Sequence, residues 1–443
     1  MTLWTPTLPD SPTPIYVRVA DALERDVRTG TLLAGSRLPT HRDLARSLGV
    51  TPVTVTRAYG EAARRGLVES SIGRGTFVRS VRRETPAADE IDLSTNVINI
   101  PLPEASAAVL RRAADSLDSN YTIGPGSERH RAAGAAWIGR RTDPDSVIVT
   151  AGTQHALFLA FVATTRPGDT VFTESVTYHG AKALATLLNL RLAPLPLDRY
   201  GILPDAFARA CRAKTAKVLY TIPSLHNPTG IVMPDKRRCD LAAVAEKFGV
   251  TIIEDDVSGF LLDKTPPPLA AFAPERTIFV TGIGKALAPA LRIGYIAAPD
   301  AWVPRLQAAL AASILFTSPL LAEIVASWIE DGTAARVIAQ KRAEAALRNR
   351  VARRILGKLA EKTDPRSQHL WVELPRRWTG DAFAEEARRR HIRVASASSF
   401  VVGTDVPRAI RLSIGAPPSV AELETALHVI MGIEEERAEE TVV

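Results

Sequence analysis

Cysteine is scarce: Cys211 and Cys239 are the two in 443 residues, which excludes a disulfide framework and suits a reducing cytosol. Long apolar runs are missing as well. The greasiest stretch, 308–329, contains Pro319 and Glu323 and reads as a core or interface helix, not a membrane span. Residues 1–14 hold four prolines and no apolar centre, so they do not form a secretory signal. A cytoplasmic protein with no membrane partner is expected. Lysine is absent from the first 83 residues, where thirteen arginines face seven acidic residues for a local charge of +6. The whole chain carries +7, so the rest is nearly neutral. Such asymmetry fits a basic module for an anionic partner; a solvated arginine-rich surface fits the charge equally well. With 46% apolar and 23% charged residues the chain is globular. It is also longer than the roughly 250–300 residues that one core usually sustains.

The basic segment has a pattern of its own. Ile15, Val19, Leu23 and Val27 recur every fourth residue and predict an amphipathic helix. Residues 42–48 predict a second, short helix with Leu44, Ala45 and Leu48 inward, ended by Gly49. Thr51 then stands as N-cap with Pro52 at the first helical position. In the helix that follows, Val55, Ala58, Tyr59 and Ala62 face inward, and Val53, Thr56, Arg57 and Gly60 face outward. Two helices joined by this turn make a helix-turn-helix whose second helix suits the major groove. Strand-like residues 67–71 and 76–79 flank Gly73-Arg74-Gly75, giving a hairpin wing with a basic tip. Arg42 and Arg74 are placed to neutralise phosphates. Thr51, Thr54 and Arg57 lie near the start of the recognition helix, within reach of backbone or base edges. Trihelical units also serve as packing modules, but the arginine excess and the wing favour DNA.

The run Gly35-Ser36-Arg37-Leu38-Pro39-Thr40-His41-Arg42-Asp43-Leu44-Ala45 carries a specific likeness, extended by Leu48-Gly49-Val50-Thr51 and Gly73-Arg74-Gly75-Thr76-Phe77-Val78. It resembles the winged-helix domain of GntR-type regulators over residues 14–79. The resemblance places Arg42, Thr51, Thr54 and Arg74 at DNA-contact positions. Pro52 departs from it, standing where many members have a base-reading arginine.

Beyond residue 91 short apolar runs alternate with helical segments: 147–149, 171–172, 218–220, 251–253 and 278–280. These predict buried parallel strands in an α/β body. Residues 80–91 lack apolar periodicity and read as a short linker between domains at 1–79 and 92–443. Thr150-Ala151-Gly152-Thr153-Gln154 follows one run and opens a helix, a place suited to a phosphate. Asn227-Pro228-Thr229-Gly230, Glu254-Asp255-Asp256 and Gly284-Lys285-Ala286 follow others. Singly these read equally well as a turn, a solvated loop and a surface lysine.

Their order is what resembles the class I/II aminotransferases, the fold type I group of pyridoxal phosphate proteins, from about residue 92 to 430. A GntR winged helix fused to such a body resembles the MocR-type regulators. The resemblance makes Lys285 the Schiff-base lysine and Asp255 the carboxylate beside the pyridine nitrogen. Asn227 becomes the partner of the phenolic oxygen, and Gly152, Thr153 and Arg292 the phosphate contacts. By the same likeness Tyr178 covers one ring face and Arg411 holds an amino acid carboxylate. Tyr121 is placed toward a neighbouring subunit's cofactor, as expected of a homodimer. No metal is expected.

Departures from the family pattern bear on activity. A tyrosine is usual two or three residues after the strand-end aspartate, where this chain has Val257 and Ser258. Serines are usual where it has Gly282 and Gly284. The missing hydroxyls predict a cofactor held more weakly by about 1–3 kcal/mol and poor or absent transaminase turnover. The leading expectation is a transcriptional regulator that binds operator DNA, controlled by pyridoxal phosphate with an amine or amino acid effector. A working aminotransferase and a cofactor-free sensor scaffold are the alternatives.

Overall fold

The computed structural model describes residues 4–8, 11, 13–28, 32, 36–65, 67–71, 75–78, 90–100, 107–115, 123–139, 142–213 and 216–439. The chain divides into two units, Met1–Ala87 and Ala88–Val443. In the first, α1 (Ile15–Arg28), α2 (His41–Leu48) and α3 (Pro52–Arg64) pack together. Each helix boundary has a local cause. The Thr40 hydroxyl accepts the Asp43 amide at the start of α2, and Gly49, at φ 65°, closes that helix in the left-handed region. Thr51 caps α3 through the Thr54 amide, with Pro52 next to it. Val19, Leu23, Leu44, Val55, Ala58 and Ala62 form the core. Strands β1 (Val68–Ser71) and β2 (Gly75–Val78) pair antiparallel, Val68 opposite Val78, and both of these side chains join that core. Arg65, just past α3, binds Asp21 and Glu24 of α1 at 2.7 and 2.9 Å and Glu61 at 2.8 Å. The wing tip with Arg74, and the linker as far as residue 89, lie outside the described residues.

The larger unit alternates strand and helix through β3 (Val147–Thr150), α4 (Thr153–Thr164), β4 (Thr170–Glu174), α5 (His179–Leu187), β5 (Arg191–Leu195) and β6 (Val218–Thr221). It continues with α6 (Asp235–Phe248), β7 (Thr251–Asp255), β8 (Thr277–Gly282) and β9 (Gly294–Ala297). These seven strands form one sheet in the order β3-β9-β8-β7-β6-β4-β5. Six run parallel and β9 runs against its neighbours β8 and β3. The five runs picked out by sequence all lie in this sheet. Parallel neighbours alone do not describe it, because β9 returns beside β8 with no helical crossover between them.

After the sheet come α7 (Val303–Ile314), α8 (Pro319–Glu330) and the 24-residue α9 (Thr333–Leu356). The apolar stretch 308–329 is therefore two helices and not one. Leu315 turns to φ 65°, and Pro319 begins α8 where its missing N–H costs nothing. Among the described residues no helix is long and apolar enough to cross a membrane. Strands β10 (Leu370–Glu373), β11 (Ala395–Ser396) and β12 (Ala409–Leu412) make a smaller sheet, followed by α10 (Val420–Glu439). Apolar clusters cover the large sheet on α4 and α7 and on α6 and α8, and a separate cluster joins α9, α10 and the small sheet.

Candidate functional site

The carboxyl ends of the parallel strands place most of the candidate residues, as open α/β sheets generally do. Asp255 ends β7, Lys285 lies three residues beyond β8, and Gly152 and Thr153 join β3 to α4. Tyr178 precedes α5, and Asn227 follows β6. Arg411 comes from β12 of the smaller sheet and reaches this group: its Nη1 donates to Asn227 Oδ1 at 2.7 Å. The other guanidinium nitrogen donates to the Ser94 carbonyl, and the group stacks 4.8 Å from the Phe400 ring centre. Its Nε is buried without a hydrogen-bond partner among the described residues. Burial pulls the Arg411 pKa down to about 10.

Asp255 is 2% exposed. One carboxylate oxygen accepts the Tyr220 hydroxyl at 2.8 Å, and the other, Oδ1, is buried with no partner among the described residues. Burial first, then the nearby Asp256 and Glu174 carboxylates, pushes its pKa up to about 7 against the opposing pull of Tyr220 and Lys285. Desolvation brings the Lys285 amine down to about 8, with Arg411 reinforcing and Asp255 resisting the change. An orphaned carboxylate oxygen and a lysine amine whose pKa is lowered by burial thus share one low-dielectric space.

The start of α4 forms a cradle. Gly152 sits at φ 85°, and a Cβ there would come 2.7 Å from Arg292 Nη2, so glycine is what admits the guanidinium. Arg292 Nη2 donates to the Ala151 carbonyl at 3.2 Å. Gly152 caps α4 without a side-chain hydrogen bond, leaving first-turn amides beside the exposed arginine. Opposite lies Gly282, where a Cβ would stand 2.2 Å from Thr153 Oγ1. The hydroxyl counted as missing at 282 is thus a space occupied by the Thr153 hydroxyl. Gly284 differs, with its nearest would-be neighbour at 3.7 Å. Val257 is half-buried and Ser258 buried, so the loop after Asp255 brings no phenol to the site. Tyr178 is half-buried and packs over Gly180, where a Cβ would come 2.3 Å from its ring.

Tyr121, like Arg74, falls outside the described residues. Tyr220, Ser94 and His369 were not singled out in the sequence. Tyr220 sits mid-strand and looked like core, although a buried phenol needs an acceptor. His369 is fully buried, with Nε2 3.1 Å from the His226 carbonyl, and burial together with Arg411 and Lys285 drives its pKa well below the usual value.

On the smaller unit, Arg42, Thr51, Val53, Thr56 and Arg57 are exposed and Thr54 is partly so. Neither Arg42 nor Arg57 has an ion-pair partner among the described residues, whereas Arg64 and Arg65 are held by Glu61. The Thr51 and Thr54 hydroxyls lie 2.9 Å apart, tied to each other at the helix start.

Comparison with known proteins agrees with both halves. The family "Aminotransferase class I and II" matches residues 88–430, and "Bacterial regulatory proteins, gntR family" matches residues 15–78. The chain belongs to the MocR-type regulators. An uncharacterised HTH-type transcriptional regulator of Bacillus subtilis (strain 168), YdeF, is 31% identical over 96% of this chain and 96% of its own length. The pyridoxine biosynthesis regulator PdxR of Corynebacterium glutamicum is 28% identical over 66% of this chain and 67% of its own. Among solved structures, a multiple substrate aminotransferase from Thermococcus profundus superposes with a TM-score of 0.71 at 23% identity. That match covers 80% of this chain and 93% of the other. The α-aminoadipate aminotransferase LysN of Thermus thermophilus gives 0.67 at 23%, covering 85% and 99%. This MocR-type chain therefore joins a GntR-type DNA-binding domain to an aminotransferase fold whose family binds pyridoxal phosphate.

Proposed function

We propose that this MocR-type regulator holds pyridoxal phosphate at Lys285 and couples occupancy of that site to operator binding. The observation that carries the reading is the unpartnered, buried Oδ1 of Asp255 in the same space as the depressed Lys285 amine. When bound, the cofactor supplies an electrophilic aldehyde and an electron-withdrawing ring. Lys285, its pKa lowered by burial, would present its amine to the aldehyde carbon. Asp255, held by Tyr220, keeps a ring nitrogen protonated, and Asn227 meets the phenolic oxygen. Gly152, Thr153 and Arg292 receive the phosphate, with Tyr178 against the ring. Arg411 is anchored by Asn227 and Ser94 with Nε unengaged, which suits it to the carboxylate of an amino acid effector; a simple amine would not use it. Val257 and Gly284 leave the site short of hydroxyls, and slow or absent transaminase turnover follows from that loss.

On the DNA side, Arg42 and Arg74 neutralise phosphates. Thr51, Thr54 and Arg57 meet backbone or base edges at the start of α3, and exposed Val53 supports an apolar contact with a thymine methyl. A homodimer would present two such helices to paired half-sites and bring Tyr121 to a neighbouring cofactor. Ligand binding shifts operator affinity only through different affinities for two arrangements of the protein.

The test joins two measurements. Visible absorption with pyridoxal phosphate, followed by borohydride reduction and peptide mass analysis, should place a cofactor adduct on Lys285 and none in Lys285→Ala. Gel shifts with upstream DNA should then change midpoint with cofactor and amino acid. No adduct in the wild-type protein, or no specific shift under any condition, overturns the reading.

A further inference from the structure

Lys341 lies on α9 with 1% of its surface exposed. Its Nζ donates to the backbone carbonyl of Lys285 at 2.7 Å, and no carboxylate stands within ion-pair distance among the described residues. Burying an ammonium against a single carbonyl is costly, and burial alone brings this amine down to about 8. The neighbouring residues of α9 do similar work. Arg342 donates to the Phe260 and Leu262 carbonyls at 2.6 and 3.1 Å, on the loop that follows Asp255. One turn and a half further on, Arg348 donates to the Ile414 and Pro417 carbonyls at 3.1 and 2.8 Å, just past Arg411. A single helix thus grips, by side-chain donors, the backbone of the segments bearing Lys285, Asp255 and Arg411. In the turn that carries Lys285, Lys341 supplies that grip.

We infer that Lys341 is a positioning residue: its hydrogen bond fixes the Lys285 backbone so that the Lys285 amine is held in the buried space beside Asp255. The inference rests on the proposed role of Lys285 for its functional meaning but not for its test. Lys285 faces Asp255 on β7 and Arg411 on β12, with the buried His369 ring nearby. Letting Lys285 swing outward relieves its desolvation, and that raises its pKa.

The experiment measures acetylation of Lys285 by acetic anhydride in the cofactor-free full-length protein from pH 6 to 11, read peptide by peptide, with exposed Lys236 as internal reference. In Lys341→Met the Lys285 midpoint should rise by about one pH unit while that of Lys236 stays put. Lys341→Arg, which keeps a cationic donor, should restore it. Pyridoxal phosphate capture at pH 7.5 should fall about tenfold in the Met variant, in proportion to the lost neutral amine. If the Met variant does not fold, Lys341→Gln takes its place. An unmoved midpoint in a folded variant, even one with lowered melting, overturns the inference, as does an Arg variant that behaves like Met. Wild-type protein that shows the Lys341-dependent midpoint yet captures no cofactor would defeat the functional reading and leave this one standing.

Discussion

Asp255 and its neighbours show how much a single side chain can be asked to do. The Tyr220 hydroxyl holds the Asp255 pKa down against burial, so Tyr220→Phe should raise it above its value of about 7. In a pH titration of cofactor-loaded protein, the midpoint of the visible band should shift, with about 1 kcal/mol of stability lost alongside. Gly282 and Gly284, alike in sequence, should part company on mutation. Gly282→Ser must displace the Thr153 hydroxyl from the cradle and weaken pyridoxal phosphate binding, whereas Gly284→Ser meets only ordinary contact at 3.7 Å, restores a hydroxyl and should tighten binding. Isothermal titration of the two variants separates them. From sequence both glycines counted as lost hydroxyls, because nothing in a one-dimensional pattern says that a threonine 129 positions away fills one of the gaps. Asp255, Lys285 and Arg292 were legible for the opposite reason: each lies at a strand end or a short fixed distance past one. Tyr220 and Lys341 were not, since their partners come from distant segments.

Among the elements, a tight packing constraint falls where β9 passes the start of α4. A Cβ at Gly294 would come 2.7 Å from the Gly152 carbonyl carbon and 2.9 Å from the Thr153 amide nitrogen. Those are backbone atoms and cannot step aside. Gly294→Ala should cost about 1–3 kcal/mol in chemical denaturation and distort the cradle together with the fold. The strand itself escaped notice in the sequence, being four residues long with glycine at its head. Helix α3 announced its start through the Thr51-Pro52 pair, because capping chemistry is local, whereas the Thr40 cap of α2 went unread. On α3 and α2 the proposed DNA contacts can be sorted by salt. Arg42→Ala should weaken binding to every sequence and flatten the dependence on salt by about one ion, while Val53→Ala and Arg57→Ala should change preference among operators. Electrophoretic titrations at three salt concentrations distinguish these outcomes.

At the scale of the molecule, two buried histidines of the larger unit set a limit on acid tolerance. His226 and His369 have pKa values lowered by burial, so the unfolded chain binds protons that the folded one refuses. Stability is then complete above the unfolded value near 6.5 and declines as pH falls below it, by up to about 1.4 kcal/mol per pH unit for each ring. Melting curves between pH 8 and 5 should show the fall, and His369→Asn should make it shallower. The two units have separate apolar cores, one built on α1–α3 and the others on the two sheets. Separate cores give separate melting steps in a calorimeter, and a ligand raises only the step of the unit that holds it. Any rise in the smaller unit's step on adding pyridoxal phosphate is then the communication between the two, obtained as a free energy without any DNA in the cell.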